Sequence, residues 1–113
     1  MSWQKELVAA SATPLLLSIL SERENYGYAI IKRVAELTGG EMKWTDGMLY
    51  PVLHRLEKQG YVSSEWRTAD SGRKRKYYRI KGKGRKILTE ERRQWTIVHD
   101  ALVSLWEAKP CPG

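Results

Sequence analysis

Cysteine is all but missing from this chain. Cys111 is the only one, and a lone thiol excludes an internal disulfide. It lies in a terminal KPCPG segment that reads as a frayed tail. Histidine is nearly as scarce: His54 and His99 fall on separate predicted helices, and with one cysteine no set of ligands has the spacing of a metal site. No metal and no cofactor are expected. Asp46 and His54 assemble with no serine into a nucleophile site, and the GKG of Gly82–Gly84 lacks the spacing of a phosphate-binding loop. Enzymatic activity is therefore not expected, and His99 reads as a polar interface residue. Long hydrophobic runs are missing too. Pro14–Leu17 is stopped by Ser18, far short of the ~20 apolar residues that cross a bilayer, so no membrane partner is expected. Lys5 is followed directly by Glu6 with no signal-type apolar region, which points to the cytoplasm. No internal repeat or low-complexity segment is found.

What is present is a chain of 113 residues, 42% hydrophobic and 29% charged, the composition of one globular domain with room for an appended element. A core of this size is modest, and such chains often gain further burial by oligomerisation. The charge is unevenly spread. Between Lys58 and Lys86 eleven Lys/Arg face two acids, Glu65 and Asp70, a local net of +9; the total is +7, which leaves about −2 elsewhere. Cations gathered in one segment suit a polyanion.

Ser2 to about Glu22 reads as a first helix, with Leu7, Ser11, Pro14 and Ser18 in one row and Leu16, Leu17, Ile19 and Leu20 on the thicker apolar side. ENYG breaks the chain, with Asn25 as an N-cap. A second helix follows over Gly27–Leu37, with Ile30, Ile31, Val34 and Leu37 on one face, and Gly39-Gly40 stops it. EMKW is a candidate short strand before Thr45 or Asp46 caps a third helix that ends at Gly60. In Val62–Arg67 the alternation has period two, TADSG is a turn, and RKRKYYRI returns with Tyr78 and Ile80 on one face. KGKG separates this hairpin from a last helix over about Arg85–Ala108. There Leu88, Trp95, Val98, Leu102 and Leu105 form a seam of threes and fours, broken at Glu91, that predicts a partner helix. The expected fold is mainly α with a small β wing: a winged helix-turn-helix over residues 1–82, a dimerisation helix over 83–108 and a flexible tail over 109–113.

The third helix carries the spacing of a buried stripe at Leu49, Val52, Leu53 and Leu56, yet Pro51 sits inside it, where a ring costs ~3 kcal/mol in a regular helix. On a helical wheel Pro51 lies opposite the stripe, and its i−4 neighbour is Gly47, whose backbone can yield. Gly47, Pro51, His54 and Lys58 point outward, flanked by Tyr50 and Arg55. Aromatic, imidazole and basic groups on one outward face suit a major groove. The wing adds five cations in the seven residues RKRKYYR, with Arg73, Arg75 and Arg79 on one side and Lys74 and Lys76 on the other, placed to meet phosphates. A bend at Pro51 would hold Tyr50, His54 and Arg55 at a set angle to the groove.

The segments NYGYAIIKRV, GMLYPVLHRLEKQGYVSSEWR and SGRKRKYYRI together resemble the PadR family of transcriptional regulators, over about Leu15 to Gly84. The short chain with one C-terminal helix is similar to the small subfamily. It is closest in pattern to the multidrug-sensing repressors, which share GEM before the third helix, SS-x-W in the wing and a lone Trp in the last helix. The resemblance implies a homodimer that represses nearby genes from a double-stranded DNA operator and releases it when an effector binds. On these motifs the candidate DNA-binding set is Tyr26, Tyr28, Thr45, Gly47, Tyr50, Pro51, His54, Arg55, Lys58, Arg73, Lys74, Arg75, Lys76 and Tyr77. It further implies that the last helix pairs with the partner's first helix around a central pore. A hydrophobic or planar aromatic effector, especially a cation, would then meet Trp95, with Leu7, Pro14, Ser18, Glu91 and His99 about it. Glu91 and Arg92 are charged where a pore wall could be apolar. The candidate dimer interface is Leu88, Trp95, Val98, Leu102, Leu105 and Trp106; Trp3 and Trp106 are expected to pack near the two ends. Two other readings stay open, a non-specific architectural DNA binder without a ligand and a winged-helix protein-interaction module.

Overall fold

Leucines set the centre of the molecule. Leu16, Leu17, Leu49, Leu53 and Leu56 have no solvent exposure, and Ile30, Val34 and Tyr78 join them. The computed structural model describes residues 3–107. The chain runs α1 (Lys5–Glu22), β1 (Asn25–Tyr26), α2 (Gly27–Leu37), α3 (Asp46–Lys58), β2 (Val62–Thr68), β3 (Lys74–Ile80) and α4 (Gly82–Glu107). The expected helix start at Ser2, helix end at Ala108 and Cys111 tail lie outside the described residues.

Both helices of the helix-turn-helix stop in the same way. Gly40 N–H donates to the Ala35 carbonyl (2.7 Å) and Gly39 N–H to Glu36 (3.2 Å); Tyr61 N–H donates to Leu56 (2.9 Å) and Gly60 N–H to Glu57 (3.0 Å). This paired closure needs a residue in the left-handed region just past the helix, supplied by Gly39 at φ +62° and Gly60 at φ +80°. At the start of α3 the Thr45 carbonyl accepts from Leu49 N–H (3.0 Å), while the Thr45 side chain makes no cap bond. Leu37, expected on the inner face of α2, is 50% exposed, because the helix runs past the core at its last turn.

The sheet is three-stranded and antiparallel, in the order β1-β3-β2. Val62 lies opposite Ile80 and Thr68 opposite Lys74. Asn25 and Tyr26 pair with Tyr78 and Tyr77 on the other edge of β3. Asn25 is thus a strand residue, not the cap of α2; Tyr26 precedes that helix without a side-chain cap bond. EMKW forms no strand. Met42 (7% exposed) and Trp44 (4%) drop onto the core while Glu41 and Lys43 face water, so an extended segment shows strand-like alternation with no strand beside it.

The last helix begins earlier than KGKG suggests. Lys81 N–H bonds the Tyr61 carbonyl (2.9 Å), and the Lys81 carbonyl accepts from Arg85 (3.0 Å), so Gly82–Gly84 forms the first turn of α4. A Cβ at Gly84 would stand 2.2 Å from the Tyr61 oxygen, so the glycine marks a close crossing rather than a linker. α4 packs on α1 near its start, and Leu88 is buried there (7%).

Candidate nucleic-acid interface

The inner face of the wing looks toward α3. Val62 is buried, Ser64 hydroxyl bonds Glu57 of α3, and Tyr78 and Ile80 cover the same side of β3. Beyond them the wing and the helix-turn-helix diverge around a cleft of about 520 Å³. One wall holds Tyr26, Gly27, Tyr28, Asp46, Tyr50 and His54; the other holds Trp66, Arg73, Lys74, Arg75, Lys76 and Tyr78. Tyr50 lies over the start of α2 so closely that a Cβ at Gly27 would be 2.5 Å from its hydroxyl. That contact explains the glycine between the two tyrosines of YGY. The Tyr50 and His54 rings lie 6.3 Å apart.

Aromatic rings set the wing cations. Arg75 stacks 4.4 Å from the centroid of Tyr26, and Lys76 lies 5.5 Å from that of Tyr78. On the far side of β3, Tyr77 meets the edge of Tyr26 at 5.4 Å and carries Arg67 above it at 4.7 Å. Arg67 forks onto Glu24 at 2.6 and 2.9 Å and also bonds Glu65 (2.6 Å). The hydrogen bonds from Arg67 hold the Glu24 carboxyl below its ordinary range, and the two carboxylates hold the guanidinium more firmly protonated. Arg67 is therefore neutralised within the protein, whereas Arg73, Lys74, Arg75 and Lys76 have no ion-pair partner among the described residues. Burial, then the charge of Glu57, pushes the Tyr78 phenol up to about 12.

Residues 16–90 match the Transcriptional regulator PadR-like family. The chain belongs to that family. Over 58 residues it is 48% identical to a transcriptional regulator of Mycobacterium tuberculosis, an alignment covering 51% of this chain and 53% of that protein. Among solved structures, a PadR family transcriptional regulator of Eggerthella lenta shares 36% identity with a TM-score of 0.75, over 92% of this chain and 88% of its own. A PadR-like transcriptional regulator of Bacillus cereus shares 26% identity with a TM-score of 0.81, over 93% and 100%. This PadR-family protein is a DNA-binding transcriptional regulator and not an enzyme.

Of the residues expected at the DNA face, Tyr26, Tyr28, Tyr50, His54 and Arg73 to Lys76 converge on the cleft. Gly47, Pro51 and Lys58 are exposed on α3 but outside it, as is Thr45. Arg55 is turned back to α1, donating to Thr13 Oγ1 at 2.9 Å, and Tyr77 faces the other side of the wing. Gly27, Asp46, Trp66 and Tyr78 also line the cleft, outside the expected set. YGY was the available signal for Gly27, and the period-two alternation of β2 was the signal for Trp66.

A second depression, about 390 Å³ and mostly apolar, lies between α1 and α4 of the regulator. Leu7, Pro14 and Ser18 meet Trp95 of the same chain there, joined by Ser11, Leu15, Met42, Arg92 and Thr96. Glu91 and His99 are not among the lining residues of this single chain: the Glu91 carboxylate accepts the Trp95 indole N–H at 3.0 Å, and His99 is exposed beside Asp100, 3.3 Å away. The charged lining residue is Arg92. Trp3, 45% exposed, donates its indole N–H to the Glu41 carbonyl (3.0 Å) and so ties the chain start to the segment carrying Met42. The seam also changes. Leu88 belongs to the core of its own chain, while Val98 (53%), Leu102 (39%), Leu105 (72%) and Trp106 (73%) remain uncovered.

Proposed function

We propose that this regulator is a cytoplasmic, dimeric repressor that binds an inverted-repeat operator and releases it when a planar aromatic effector enters the α1–α4 groove. The cleft carries this reading: the outward face of α3 and the four unpaired wing cations border one space, so a single duplex can meet both. Tyr50 and His54 read a major groove, Arg73 to Lys76 hold phosphates, and Tyr26, Tyr28, Thr45 and Lys58 flank the same strand. Pro51 and Gly47 set the angle of α3. Residues 1–82 act as the DNA-binding unit and 83–108 as the dimerisation helix, through Trp95, Val98, Leu102, Leu105 and Trp106.

Footprinting on duplexes chosen from a random pool tests the reading. Protection of an inverted repeat with half-sites about one helical turn apart is expected of a two-fold dimer. Equal binding to all duplexes would make the protein an architectural binder, and no binding at low salt would make it a protein-interaction module. For the effector, Trp95→Ala is expected to weaken binding of planar aromatic dyes while leaving operator affinity largely intact. Because Arg92 rather than Glu91 lines the groove, neutral dyes are expected to bind more tightly than cationic ones, and Arg92→Ala to narrow that gap. Appearance of monomers on Trp95→Ala would reduce Trp95 to core packing.

A further inference from the structure

Trp66 is a large apolar ring left 67% exposed at the outer part of the wing. Its position explains the exposure but not the residue. Along the same face of β2, Val62 is buried in the core and Ser64 is bonded to Glu57 of α3; one step further out, the body of the protein ends. Trp66 lies opposite Lys76 and Thr68 opposite Lys74, so the indole stands beside two cations. It also borders two depressions, the α3–wing cleft and a shallower one of about 530 Å³ with Arg67, Thr68 and Lys74. A ring on a ridge between two hollows, flanked by lysines, has the shape of an insertion element. Packing into this chain does not require it.

We propose that Trp66 is a minor-groove contact that makes the regulator prefer an A·T step beside each half-site. This rests on the docking above, with α3 in a major groove; the wing then crosses the strand beside it. The minor-groove floor of an A·T pair offers only acceptors, adenine N3 and thymine O2, which suit the indole N–H, whereas G·C adds the guanine amino group, which blocks a ring edge. A narrow A·T groove also concentrates negative potential, which draws Lys74 and Lys76 to its phosphate rims. Apolar side chains at such positions pack between sugars or partly unstack a step.

The test uses the full-length protein and duplexes it has selected from a random pool, with the flanking step set to A·T, G·C or inosine·C. Inosine lacks the minor-groove amino group but keeps the major-groove acceptors of guanine. The unmodified protein is expected to bind A·T and inosine·C flanks alike and G·C flanks about tenfold more weakly. Trp66→Ala should level the three with unchanged Tm and salt dependence. Methylation of adenine N3 at that step should cut binding of the unmodified protein, a result independent of any variant. Inosine·C behaving as G·C, discrimination surviving Trp66→Ala, or indifference to adenine N3 methylation would each overturn the proposal while leaving the operator reading intact. A pool that yields no preferred half-site would instead overturn the operator reading itself, and this inference with it.

Discussion

The α3–wing cleft and the α1–α4 groove are of similar size and opposite in kind. The cleft is built by β1, α2, α3 and the hairpin of one chain; its wing cations pair with no acid among the described residues, and Asp46 lies on the opposite wall. The groove is bordered by leucine, proline and tryptophan, and it continues into an uncovered apolar seam along α4. A polyanion site must stay hydrated and cationic until the ligand arrives, so one chain can complete it. An apolar surface left open favours association, and in the proposed dimer the same chain would hold only one part of that site. The contrast assigns DNA affinity to local geometry and the proposed ligand response to assembly.

The largest test of that contrast is to prevent assembly. Leu102→Glu with Leu105→Glu is expected to give single chains by light scattering. Operator affinity should fall about 100-fold or more, because two linked half-site contacts become one. Full operator affinity in a monomer would erase the distinction between the two regions. Next comes the crossing that joins them. Gly84→Ala forces a Cβ onto the Tyr61 carbonyl, and a loss of about 1–3 kcal/mol in chemical unfolding is expected from such overpacking. An unchanged unfolding midpoint would show that α4 can shift away from the wing freely.

Neutralising Lys74 and Lys76 with glutamine should lower the slope of log affinity against log salt by about 1.8, similarly for all duplexes, and leave dye binding in the groove unchanged. A slope that stays put would remove the wing from the DNA face. The smallest effect concerns the floor of the cleft. The Tyr78 phenol ionises near 10.0 when unfolded and at about 12 when buried, so the folded state holds the proton more tightly. Its contribution to stability is therefore complete below pH 10 and lost as pH rises toward 12. Tyr78→Phe should flatten that alkaline loss relative to the unmodified protein in thermal melts. Parallel pH profiles would mean that Tyr78 is not the buried titrating group.

Much of this was legible in local pattern. The helix expected over about Gly27–Leu37 forms there, and Gly39 in the left-handed region closes its C-terminal end. Of the stripe Leu49, Val52, Leu53 and Leu56, the three leucines lie wholly inside and Val52 is half-buried, and Tyr78 and Ile80 share the inner side of β3. Errors arose where a distant partner overrides the local signal. Two residues, Asn25 and Tyr26, are too few to show a period, and only the free edge of β3 makes them a strand. Met42 and Trp44 alternate like a strand because they straddle a core boundary. Arg55 shares the outward side of α3, yet it donates to Thr13, and Leu88 keeps the seam spacing while the core of its own chain already buries it.

By itself the sequence determined the four helices and the hairpin, the wing's cationic character and the membership in a family of DNA-binding regulators, because periodicity, glycine stops and clustered charge act over a few neighbouring residues. Tertiary structure decided which cations remain free: Arg67 is paired with Glu24, forty-three positions away, while Arg75 and Lys76 rest on tyrosine rings with no acidic partner among the described residues. It also decided that Arg92 lines the groove while Glu91 is bonded to the Trp95 indole. Such outcomes depend on which side chains meet across the fold, and no local spacing records that.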